Sequence, residues 1–207
     1  MMKLRLLSIL IALLILSCNK KEPTLCNVNN NEKVTDYYPL TVSSYWIYNE
    51  YIIDSNQVEF IDAVDSSYIS KDTLINGKKY YIKNDKFSAG DFYRGCVTDS
   101  SNYIIGLGGL KKLSYNNFTD TLWAETTSYS ISYSKMTNNG IIVIVPAGTF
   151  TTLKQDIFRY ILNPNYIGEN PYTDNIYYAK GVGLVKDHFY VNNKQWSERR
   201  LVKYHIQ

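Results

Sequence analysis

The stretch DTLINGKKYYIK (Asp72–Lys83) decides the fold. Its centre, Asn76-Gly77, is the dipeptide best able to hold positive φ at both middle positions of a two-residue hairpin, and both flanks are rich in Ile, Thr and Tyr. A hairpin here makes its two strands antiparallel. The composition extends the same reading outward. From Tyr37 onward tyrosine is abundant, with Ile, Val and Thr, and alanine is scarce. β-Branched and aromatic side chains lose rotamer freedom in a helix and pack well on a pleated sheet.

Further strands fall on both sides of that hairpin. Upstream lie SYWIYNEYII (Ser44–Ile53) and QVEFIDAVDSSYIS (Gln57–Ser70). Downstream, Asp91–Asp99 and Ser101–Gly108 read as a second pair. Thr119–Met136 reads as one long alternating strand with Tyr129, Ile131 and Tyr133 on one face. IIVIV (Ile141–Val145) is apolar throughout, the pattern of a strand covered on both faces or central in a sheet. FTTLKQDIFRYILN (Phe150–Asn163), NIYYAKG (Asn175–Gly181), GLVKDHFYVNNKQW (Gly183–Trp196) and SERRLVKYHI (Ser197–Ile206) complete an antiparallel series, with a turn expected at Asn192-Asn193. Only Leu107–Phe118 has helical spacing, at Leu110, Leu113 and Phe118, and it is short enough to be a single turn or a loop. The expectation is an all-β chain. It forms a single antiparallel domain over 37–207, a curved sheet, half-barrel or sandwich, with at most one short helix. That length suits one core.

The N-terminus has a different character. Lys3 and Arg5 precede an apolar run, Leu6–Leu16, that ends at Ser17-Cys18. This is the layout of a secretory signal, and the run is shorter than the roughly 20 residues that a spanning helix needs. Ile15-Leu16-Ser17-Cys18 resembles the lipobox of bacterial lipoproteins, with Leu16 bulkier than usual beside the serine. The resemblance implies a signal peptide over 1–17 and a lipidated Cys18, held stably because several acyl chains share one residue. Asn19 lacks the aspartate of an inner-membrane retention signal, so the address implied is the outer membrane. Asn19–Asp36 is polar and aperiodic, and reads with Cys18 as a flexible tether over 18–36, reaching about 20–25 Å as a coil.

Charge narrows the partners. Lys and Arg number 22 against 19 Asp and Glu, and loss of Lys3 and Arg5 leaves 20 against 19. A near-neutral chain offers no electrostatic case for nucleic acid. Lys111-Lys112 and Arg199-Arg200 read as solvated strand faces. Cys26 and Cys96 could form a disulfide in an oxidising compartment; alternatively Cys96 is a small buried hydrophobe and Cys26 a tether residue.

Three motifs recur together: YYPLTVSSYWIY (Tyr37–Tyr48), VPAGTF (Val145–Phe150) and YYAKGVGLVK (Tyr177–Lys186). As a set, with DTLINGKKYY and WSERRLVKYHI, they resemble secreted or lipid-anchored β-proteins of Bacteroidetes-type bacteria. The resemblance implies an all-β domain akin to lipoprotein carriers and supplies no activity or catalytic residue. Read physically, Pro146 and Gly148 mark a hairpin corner. Gly181 and Gly183 mark a bulge or a close backbone approach, and no phosphate loop follows them.

Chemistry is sparse. His188 and His205 lie in strands without a nucleophile signature, so no catalytic residue is assigned. No metal-ligand spacing is present, and no cofactor is expected. Asp54, Asp62 and Asp65 read as solvent-facing or turn-capping, although a facing carboxylate pair could hydrolyse a glycoside. Trp46, Trp123 and Trp196 read as core. The expected function is a non-catalytic, membrane-tethered envelope module binding a protein or glycan. The alternatives are a carrier of an apolar ligand in a half-barrel and, more remotely, an envelope glycoside hydrolase.

Overall fold

The computed structural model describes residues 32–54, 58–87, 92–163, 172–191 and 194–207. Cys18, Cys26 and the turn expected at Asn192-Asn193 lie outside the described residues. One short helix, α1 (Val34–Tyr37), precedes twelve strands. These are β1 (Tyr45–Ile53), β2 (Glu59–Ile75), β3 (Lys78–Lys86), β4 (Phe92–Ser100), β5 (Tyr103–Gly106), β6 (Lys111–Ser114), β7 (Trp123–Thr126), β8 (Ser130–Val145), β9 (Gly148–Ile161), β10 (Tyr172–Ala179), β11 (Gly183–Val191) and β12 (Lys194–His205). They form a single antiparallel sheet in the order β6-β5-β4-β3-β2-β1-β12-β11-β10-β9-β8-β7, curled into a nearly closed barrel. Two six-strand meanders therefore meet through β1 and β12, where Tyr45 pairs with His205 and Ile52 with Ser197. The free edges, β6 and β7, are neighbours in sequence.

Turn chemistry sets the meanders. Asn76 and Gly77 both have positive φ (53° and 77°), as the type I′ geometry requires. Pro146-Ala147 turns β8 into β9, and Ala147 N–H donates to Leu201 O, tying this corner to β12. YYAKGVGLVK is a hairpin as well: β10 ends at Ala179 and β11 begins at Gly183, so Gly181 sits in the turn rather than beside Gly183 on a strand.

Two core clusters hold the barrel together. One joins Val97, Ile104 and Leu113 of β4–β6 to Leu122, Met136, Leu153 and Tyr178 across the interior. The other packs Trp46, Tyr48 and Ile69 against Val143, Val145, Val185 and Leu201. Ordered packing begins before Tyr37, because Val34 enters the first cluster and Gly181 N–H donates to Asp36 O. The tether drawn to Asp36 thus includes a docked turn, whose single apolar residue gave no periodic signal.

Three sequence expectations change. Leu107–Phe118 contains strand β6 instead of a helical turn or a plain loop, paired with β5 by Tyr103↔Ser114. Thr119–Met136 is not one strand. Thr127 Oγ1 accepts from the N–H groups of Tyr129 and Ser130, turning β7 back against β8 and leaving Tyr129 exposed in the turn. IIVIV is covered on one face only: Val143 and Val145 are buried, while Ile142 and Ile144 are 69% and 75% exposed.

Candidate functional site

Each strand lining the barrel interior changes character along its length. β1 runs from Trp46 through Tyr48 to Glu50, β10 from Tyr178 through Ile176 to Asp174, and β12 from Leu201 to Arg199. β9 runs from Leu153 through Gln155 and Ile157 to Arg159. The interior consequently holds two adjoining chambers that share Ile157 and Ile176 in their walls.

The aromatic chamber is a partly open cavity of about 300 Å³. Trp46, Tyr48, Trp123 and Tyr178 form most of its ring-lined wall, with Leu110, Ile157, Ile176 and Leu184 between them. Lys112 comes from edge strand β6 and Trp123 from edge strand β7, which places the chamber at the seam of the barrel. Trp46 is fixed by an Nε1–H bond of 2.5 Å to Val182 O, and Tyr48 donates its hydroxyl to Leu184 O at 3.1 Å. Gly183 makes room for the indole: a Cβ there would stand 3.3 Å from Pro39 Cδ and 3.4 Å from Trp46 Nε1. The burial of Tyr38, Tyr48 and Tyr178 pushes their hydroxyl pKa values up, so they remain neutral donors. Lys83 enters this wall and pairs with Asp85, which also accepts from Ser67. Burial pushes the Lys83 ammonium down, with Asp85 opposing that shift.

The second chamber, about 700 Å³, is charged. Arg199 is its centre. It donates to Asp187 through Nε (2.9 Å) and Nη2, lies 3.7 Å from Asp65, and faces the Tyr48 and Phe87 rings at 5.6 and 5.3 Å. Burial works against its charge, but Asp187, Tyr48 and Asp65 together outweigh it and hold the guanidinium protonated. Glu50 sits opposite Arg199 across β1–β12. Its carboxyl is raised by burial and by the Asp65 charge, while Arg199 acts the other way. Arg159 donates to Asp174 at 3.0 Å.

Several sequence readings are corrected by this interior. Arg199 and Lys112 are not on solvated faces; both point into the barrel. Asp65 is 1% exposed beside Arg199. Asp62 is exposed, and Asp54 caps a turn by accepting from Val58 N–H at 2.9 Å. Trp46 is core, Trp123 is half-buried at the chamber wall, and the Trp196 side chain is outside the described set. Cys96 sits half-buried on β4 opposite Ile82.

The outer face of β9–β12 carries a separate polar ladder. Lys154 and Asn175 hold Asp156 (3.0 and 2.8 Å). Lys186, His188 and Arg200 converge on Glu198, the first two at 2.7 and 3.0 Å. Arg200 continues to Glu59 at 2.8 Å and lies over the Tyr51 ring at 4.2 Å. Arg200 is therefore ion-paired, and His188 is a cross-strand partner of Glu198. His205 stacks on Tyr45 at an edge of this face. Among the described residues no three His, Cys, Asp or Glu side chains are grouped to hold a metal ion.

No protein-family model and no curated protein sequence matches the chain. Two solved structures share its fold. One is a Bacteroides fragilis protein inferred to be exported, described as having a YmcC-like fold. It is 14% identical, with a TM-score of 0.55 over 81% of this chain and 97% of that one. The other is a Parabacteroides distasonis protein inferred to be a lipoprotein, 14% identical, with a TM-score of 0.53 over 84% of this chain and all of that one. At this identity the likeness is one of fold.

Proposed function

We propose that this chain is a non-catalytic lipoprotein of the cell envelope, tethered through Cys18 at the outer membrane, whose barrel interior carries a small, mostly apolar ligand. The observation that supports the reading is the aromatic chamber: about 300 Å³ of space walled by Trp46, Tyr48, Trp123 and Tyr178, with a few polar groups turned into it. That is the composition of a small-molecule site, at the lower end of the usual size range. Of the two binding readings open from the sequence, carriage is favoured over assembly with a protein or glycan, because the aromatic surface lines a cavity. The cationic side chains near it are also turned inward, which weakens any case for nucleic acid. The lipobox-like Ser17-Cys18 and the exported or lipoprotein descriptions of both fold neighbours support the anchor.

Native mass spectrometry of the full-length protein extracted from membranes tests carriage. A bound small molecule that is released by organic solvent is the expected result. Ligand-free protein across several growth and extraction conditions would remove the carrier reading. Labelling with radioactive palmitate tests the anchor independently, with the label expected in the wild-type chain and absent from Cys18→Ala.

A further inference from the structure

Two features of the aromatic chamber are not satisfied by the protein itself. The first is Gln155. It is 3% exposed and lines the chamber. Its Nε2 donates to Ser134 Oγ at 2.7 Å, but its Oε1 accepts nothing among the described residues. Buried acceptors are nearly always paired, because leaving one bare forfeits its hydration without return. The second is charge. Lys83 and Lys112 both enter the chamber wall, and Lys112 is near enough for its charge to disfavour that of Lys83. Asp85 pairs with Lys83, whereas Lys112 has no ion-pair partner among the described residues. One positive charge at the chamber wall is left without a counter-charge.

We infer that the chamber takes a hydroxylated monocarboxylate with an apolar body, its carboxylate meeting Lys112 and its hydroxyl donating to Gln155 Oε1. The inference rests on the carriage reading above and adds the ligand's chemistry to it. One unmatched ammonium calls for one anionic charge, and an ammonium–carboxylate contact in a poorly hydrated site is among the stronger polar contacts available. The rings and aliphatic residues receive the apolar part. The volume corresponds to about ten water molecules, so the ligand has on the order of ten to fifteen non-hydrogen atoms.

The test uses full-length protein in lipid nanodiscs, with tryptophan fluorescence as the signal, since Trp46 and Trp123 line the chamber. Empty nanodiscs supply the partition background. The probes are 3-hydroxydecanoate, 10-hydroxydecanoate, decanoate and 1-decanol. Decanoate is expected to bind about 10- to 100-fold more tightly than decanol, and at least one hydroxyacid about 5-fold or more better than decanoate. Lys112→Met should bring decanoate to the decanol level and leave decanol unchanged, with Lys112→Arg restoring the preference. Gln155→Met should erase the hydroxyl advantage alone. Equal binding of decanol and decanoate by the wild type overturns the inference and leaves the chamber a carrier site. Absence of any binding above background, decanol included, overturns carriage as well. The wild-type preference answers the question even if a variant fails to fold.

Discussion

Arg199→Met replaces the cation at the centre of the charged chamber with an apolar side chain of similar length. The variant leaves Asp187, Asp65 and Glu50 facing a shared interior without the guanidinium that now lies between them. Removing one member of a buried ion pair costs about 3–5 kcal/mol, mainly through the charge left behind. The Arg199 side chain is 22% exposed, so water will relieve part of this, and about 3 kcal/mol at pH 7.5 is expected. For a domain of this size that lowers Tm by about 6–12 °C. The pH dependence gives the sharper test. Glu50 is already held above its ordinary 4.5 by burial and Asp65, with Arg199 restraining the rise. Without Arg199 it rises further. A carboxyl whose folded pKa is raised contributes stability at low pH, and that contribution is lost as pH climbs through the folded value. The variant's deficit should thus be largest at pH 7.5 and shrink by pH 5. Urea unfolding followed by tryptophan fluorescence measures both, and Arg199→Met with Asp187→Asn should recover part of the loss. A deficit below about 1 kcal/mol at pH 7.5, or one identical at both pH values, would refute the claim that this guanidinium neutralises the chamber.

Three further outcomes follow from the same structure. Burial alone would raise Glu198, but hydrogen bonds from His188, Arg200 and Lys186 hold it well below its ordinary 4.5. Its stabilisation is therefore complete above that value and lost as pH falls beneath it; Glu198→Gln should cost about 2 kcal/mol at neutral pH and flatten the acid limb of a stability–pH curve. Gly183→Ala, at φ +100° and against Pro39 and Trp46, should cost about 2 kcal/mol or more in chemical denaturation; Gly181→Ala, at φ +73° in open space, should cost about 1 kcal/mol. Trp46→Phe removes the bond to Val182 O and should cost about 1–2 kcal/mol, with a shifted emission maximum reporting the lost indole.

The hairpins were legible because their turns have local chemistry. Asn76-Gly77 and Pro146-Ala147-Gly148 announce a reversal whatever surrounds them, whereas Gly181 reads equally well as a bulge within a strand and shows itself as a turn only in the structure. The β7–β8 turn was not legible, because it is built from a threonine hydroxyl in a sequence, TTSYS, that has neither glycine nor proline. The candidate site was hidden for a different reason. A period of two says that side chains alternate, but not which face is the inside. On β2 the usual assignment is inverted: Val64 is 61% exposed, while Asp65 beside it is buried. The same inversion places Arg199, Lys112 and Glu50 inside. A filled core would reject such residues; a barrel with room at its centre can pair them with one another. Gln155 gave no sequence signal at all, since its meaning lies in what its oxygen lacks.

The pairing of β1 with β12 also dictates an order of assembly. Every other adjacent pair joins consecutive strands and can zip from a turn, whereas this seam joins the two ends of the domain. As the chain emerges from its N-terminus during synthesis, the first meander can form while the long flank of β1 stays bare until β12 arrives. Such an open flank invites pairing with a second molecule until Ser197–His205 docks. Truncation before Ser197, which removes the part of β12 that pairs with β1, would expose a sticky edge at the middle of the sheet, and aggregation of the truncated product should follow.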